Sequence, residues 1–305
     1  MFLSGFSHVL PFHFFGILFR QYLTNIPMKT ILFPTDFSAN ALHASQYAGM
    51  LAKSFNANVV LLNVHSIPSI SEYQLPYEID NLIKFNQKKS EDNLRDFAVH
   101  FMQITHLAAD RVSQIVEYGF ANEKILETAD TIHSDMIVMG TRGANNLLDK
   151  WLGTHAQAVI KKAKCPVWII PKTAPINYPQ NILYAADFKE DEVVATQKVL
   201  WFAAPLGAKC KVVHIHDYFE IKVDSGVQEM VKYLDDEFEN IDDVSFVNLN
   251  RDDIIEGLEA YMESFKPDVL ALAVHEKSFL ERLFNESVTK HFVQVLQLPI
   301  LTFRK

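Results

Sequence analysis

The chain has 305 residues, enough for about two domains of the usual size. Hydrophobic residues make up 49% and charged residues 21%, which excludes a disordered or fibrous chain. The net charge of −9 at pH 7 argues against nonspecific binding to nucleic acid or to an anionic membrane, since both need a basic face.

In chain order, residues 1–27 come first, rich in Phe and uncharged before Arg20. They lack a basic leader and a small-residue cleavage site, and Pro11 with two histidines breaks an apolar run barely long enough to span a bilayer. They read as a dispensable extension ahead of Met28, with a weakly membrane-associating segment as the alternative. From Thr30 on, five short apolar runs read as strands: TILFPT, NVVLLNV, RVSQIVEY, DMIVMG and PVWIIP. Between them Ser38 can cap a helix over ANALHASQYAGMLAKSF, Pro76 to Phe101 reads as a long helix, and ANEKILETADTI as a third. The mixed charges of QKKSEDNLRDF give the long helix a solvent-facing surface. A fourth helix, THAQAVIKKAK, lies beyond Trp151, and Trp151 and Trp201 are expected in the core.

After a linker at 172–180, with two prolines and no apolar period, the pattern starts again. The segment from Ile31 aligns without a gap on that from Ile182, placing Asp36 on Asp187, Phe37 on Phe188 and His65 on His216. The segment from Asp135 aligns likewise on that from Asp268. Strands alternating with helices predict two tandem domains, 28–171 and 181–305. Each is an α/β, doubly wound, Rossmann-like, five-stranded parallel sheet of order 3-2-1-4-5. Their last strands, WII and ILTF, are expected to pair the halves as a pseudo-dimer, with association of two chains left open.

In such a sheet ligands sit at the carboxyl ends of strands one and four, where the winding reverses. Asp36 closes strand one and Gly140 closes strand four. Gly140 and Gly143 bracket the next turn, where a missing Cβ permits positive φ and close approach of backbone N–H groups. Gly153 and Thr154 open the following helix, whose first amides are unpaired donors. Together they predict a phosphate cradle.

The spacing GxxGx9G[ST] after a strand, with PTDFS at strand one, resembles the nucleotide-binding members of the universal stress protein family, over both copies. That resemblance implies ATP as ligand, with Mg2+ accompanying its phosphates. It assigns Pro34, Thr35, Asp36 and Val64 to adenosine, and Gly140, Arg142, Gly143, Gly153 and Thr154 to ribose and phosphates, with a backbone donor from His155. In the second copy Ala273, Glu276 and Glu286 replace the three glycines and Ser287 replaces Thr154, so this half is expected not to bind ATP.

Outside the motif, His214, His216 and Asp217, with His275 across the sheet, could hold zinc or another divalent ion, or be ordinary hydrogen-bonded side chains. Cys165 and Cys210 show no ligand spacing and are expected as buried thiols. No catalytic triad or carboxylate pair stands out. The expectation is a cytoplasmic, ATP-binding stress-response regulator. Nucleotide would order the loop from Arg142 to Leu152 and alter a surface seen by an unidentified protein partner. The alternatives are a slow ATP-hydrolysing or nucleotidyl-transfer enzyme and a ligand-free scaffold.

Overall fold

The computed structural model describes residues 28–66, 76–141, 152–188, 191–217, 224–239, 241–251, 253–274 and 297–305. The extension expected at 1–27 and Trp151 lie outside them.

Five strands build the first half: β1 (Thr30–Pro34), β2 (Asn58–His65), β3 (Val112–Tyr118), β4 (Met136–Gly140) and β5 (Val167–Ile170). Its helices are α1 (Ala39–Ser54), α2 (Pro76–Thr105), α3 (Ala121–Thr131) and α4 (Thr154–Lys162). The second half repeats the order with β6 (Asn181–Ala186), β7 (Lys209–Asp217), β8 (Val244–Arg251), β9 (Val269–Val274) and β10 (Ile300–Arg304), and with α5 (Glu192–Leu206), α6 (Asp224–Glu237) and α7 (Ile254–Phe265). Among the described residues no helix is long and apolar enough to cross a membrane.

Each half has the expected order, and the two join into one sheet, β3-β2-β1-β4-β5-β10-β9-β6-β7-β8. All pairings are parallel except the seam, where β10 runs antiparallel to β5 with Leu301 opposite Trp168. This is the pairing of WII with ILTF expected of the two last strands, and it merges the two parallel five-stranded sheets into one mixed sheet. The physical reason is that β5 and β10 would each be an apolar edge strand with unpaired backbone groups, and pairing satisfies both.

Side chains alternate across the strands, so Ile31 and Phe33 enter one core and Leu32 the other. The first core also takes Tyr47 and Leu51 of α1, Phe101 of α2, Phe202 of α5 and Leu234 of α6. The second takes Ile125 of α3, Val159 of α4 and Leu258 of α7. Both cores run through both halves. Trp201 is partly buried against the first core, and its neighbour Phe202 meets Phe55 and Trp168, so α5 packs across the seam.

Carboxylates fix the start of the sheet in both copies. Asp135 Oδ2 accepts from the N–H groups of Lys29 and Thr30 at 2.8 and 2.9 Å. Asp268 Oδ2 does the same for Gln180 and Asn181 at 2.8 and 2.9 Å. Two sequence-distant segments are thereby locked side by side at the amino end of the central strands, leaving the carboxyl end for a ligand.

Candidate functional site

A cleft opens at the carboxyl ends of β1, β2 and β4, with about 600 Å³ of empty space counting its open mouth. Its floor is apolar, from Pro34, Leu62, Val64 and Met139, and its flanks are Ala41 of α1 with Ala121 and Ile125 of α3. Thr35, Asp36, Gly140 and His155 supply its polar groups. Of the expected residues, Pro34, Thr35, Asp36, Val64, Gly140 and His155 therefore share one cleft. Arg142 and Gly143 lie outside the described residues, as does most of the loop expected to order.

The Asp36 turn is tightly scaffolded. The Thr35 N–H donates to Leu62 O at 2.8 Å, and Asn63 Nδ2 donates to Thr35 O at 2.8 Å. Thr35 Oγ1 accepts from the Phe37 N–H at 3.0 Å, Asp36 Oδ1 accepts from the Ser38 N–H at 3.1 Å, and Ser38 Oγ caps α1 on Ala41. Phe37 is held at φ 63°, and Phe188 of the second half at φ 48°. A bulky residue there costs on the order of 1–3 kcal/mol, so both copies maintain a strained turn beside the aspartate. Composition hides such a site; its recurrence at aligned positions is the available signal.

Gly153 opens α4 as expected, whereas Gly140 does not take the positive φ expected of the turn after β4. Gly140 is the last residue of β4, extended and paired with Ile170, and Gly153 caps α4 at φ −66°. What each contributes is an absent side chain, not a left-handed backbone. The Gly153 N–H is also taken, donating to Thr141 O at 2.6 Å. The first bond of α4 runs from Gln157 N–H to Gly153 O. The donors aimed out of the helix are therefore the amides of Thr154, His155 and Ala156. An anion is favoured there by those donors and the helix dipole.

The second half differs at the counterparts of Asp36 and Ala41. Ala41 corresponds to Glu192, whose side chain is 0% exposed and accepts from Lys305 Nζ at 2.6 Å and from the Tyr184 hydroxyl at 2.6 Å. Lys305 also donates to Asp187, the counterpart of Asp36, at 2.6 Å. Sequence reading missed Glu192, although the ungapped repeat already set a carboxylate opposite Ala41. It also missed Leu62 and Met139, which the two-residue period of β2 and the position before Gly140 could have marked.

His214 has a structural partner. Its Nδ1–H donates to Ala186 O at 3.0 Å and its ring stacks on Phe188 at 4.3 Å, so it does for the second turn what Asn63 does for the first. His216 and Asp217 end β7 opposite Asn250 and Arg251, and His275 lies outside the described residues. Among the described residues no three His, Cys, Asp or Glu side chains gather as a metal site. Cys210 is buried and Cys165 only half-buried. Burial pushes their thiols up to about 12 and about 11, so neither offers a thiolate near neutral pH.

A sequence model of the universal stress protein family matches residues 27–171 and again 179–304. Among curated proteins, universal stress protein MJ0531 of Methanocaldococcus jannaschii is 32% identical over 150 residues, 47% of this chain and 82% of that protein. Universal stress protein G of Escherichia coli O157:H7 is 26% identical over 147 residues, 47% of this chain and 98% of that protein. A crystal structure of a universal stress protein from Archaeoglobus fulgidus DSM 4304 superposes with a TM-score of 0.68 at 16% identity, covering 91% of this chain and 98% of that one. At that identity the likeness is one of fold.

Proposed function

The chain belongs to the universal stress protein family, and we propose that within it this protein is a cytoplasmic, ATP-binding regulator of the stress response that loads one nucleotide in its first half. The observation that carries this reading is the contrast between aligned positions: an apolar slot ending on a helix start in one half, and a buried Glu192–Lys305 pair in the other.

The slot suits a flat, weakly polar base between Pro34, Val64 and Met139. Asp36, at the exposed edge of the slot, can accept from a ribose or exocyclic donor. The phosphates then fall toward the amides of Thr154, His155 and Ala156, with Arg142 and Gly143 completing the cradle. Mg2+ travels with the phosphates in this reading, since Asp36 is the one carboxylate among the described cleft residues. Binding ties β1, β2 and α4 to the loop after β4, and that loop is the surface a protein partner reads.

Equilibrium dialysis with labelled ATP tests this directly. The protein is expected to retain nucleotide below about 1 mM, the weakest range consistent with a working site. Ala41→Glu, which imports the second half's carboxylate into the slot, is expected to weaken retention at least about tenfold. No retention by the wild-type protein near 1 mM would overturn the reading.

A further inference from the structure

Two adjacent side chains at the end of β10 reach into both halves. Arg304 crosses the seam: its Nε donates to Ala163 O at 2.9 Å and its Nη2 to Lys161 O at 2.7 Å. Those carbonyls close α4 and have no acceptor role left within the helix, so the guanidinium satisfies them and sets positive charge at the negative end of the dipole. The Arg304 carbonyl in turn accepts from Lys198 Nζ of α5 at 2.7 Å. Lys305 turns the other way, into the second half, where it holds Asp187 and Glu192 with its own side chain only 6% exposed.

Asp187 and Glu192 correspond to Asp36 and Ala41, both of which line the first cleft. An internal cation thus sits between the second half's counterparts of two residues of that cleft, one residue away from the group that grips α4. Helix α4 has nine residues, and its first turn carries His155 in the first cleft. A helix so short is marginal on its own, so what holds its far end also sets where its first turn stands. The anchor is stiff, because displacing Lys305 would leave Glu192 buried without a counter-charge.

We propose that Arg304 and Lys305 are positioning residues for the first cleft, through which the second half fixes α4 and thereby sets how tightly the first half holds its ligand. The identity of that ligand rests on the ATP reading above; the effect on α4 does not. Two measurements on the full chain separate them: amide hydrogen exchange across α3 and α4, and ATP affinity by equilibrium dialysis. Arg304→Ala is expected to speed exchange in α4 about tenfold while leaving α3 unchanged, and to weaken ATP about fivefold or more. Arg304→Gln serves as a milder variant, and Lys305→Met removes the anchor's charge from Asp187 and Glu192; each is expected to shift both readouts in the same direction. Exchange in α4 that matches wild type in all three variants overturns the proposal, as does accelerated exchange with unchanged ATP affinity. If wild type retains no ATP while α4 still loosens in the variants, the positioning of α4 stands and the nucleotide reading falls.

Discussion

Glu192 shows how one side chain can change what a repeated fold does. At Ala41 the same backbone position leaves room in a cleft, whereas at Glu192 it buries a carboxylate against Tyr184 and Lys305. Burial pushes the Glu192 carboxyl above its ordinary range, against the pull of Lys305 and the Tyr184 hydroxyl. A carboxyl that holds its proton more tightly in the folded state contributes stability that is full below its unfolded value and is lost as pH rises through the raised folded one. The urea midpoint of wild type minus that of Glu192→Gln is therefore expected to fall as pH climbs out of the ordinary carboxylate range. A difference that stays flat or grows contradicts the assignment. The sequence made Asp36 and Gly140 legible through strand ends and glycine spacing, and Val64 only through the family resemblance. It could not show that Gly153 spends its N–H on Thr141, because that bond depends on where the loop after β4 returns.

Elements were legible wherever local pattern and packing agree. Ser38 starts α1 as its side chain predicts, and the five apolar runs of the first half all form strands. Helix α2 outlasts its expected end at Phe101 and continues to Thr105. The last turn is held from outside: Thr105 Oγ1 donates to Phe101 O at 2.6 Å, and its methyl lies against Gly49 of α1, so closely that a Cβ there would stand 2.2 Å away. Such a tertiary contact leaves no mark in the helix's own sequence. The aspartates at the strand starts are a second tertiary device, and their symmetry makes them testable. Asp135→Ala and Asp268→Ala each remove an acceptor shared by two backbone N–H groups. Each is expected to cost roughly 1.5–3 kcal/mol by denaturant unfolding. Losses under about 0.5 kcal/mol in both would show that water replaces the carboxylates freely.

At the scale of the whole molecule, the repeat announced two like domains paired through their last strands, but not the two cores that run continuously across that seam. Continuity of the cores depends on which helices reach across the seam, as Phe202 of α5 does to Phe55 and Trp168, and periodicity within each copy does not register that. Across the seam the pseudo-dimer is asymmetric in its side chains: the halves have the same topology, one with an open cleft and the other with Lys305 held between Asp187 and Glu192 at the aligned positions. The measurement that tests this most directly is native mass spectrometry of the full chain titrated with ATP. One nucleotide per chain is the predicted result, with that adduct lost in Ala41→Glu. Two nucleotides per chain, or none near millimolar ATP, would contradict it.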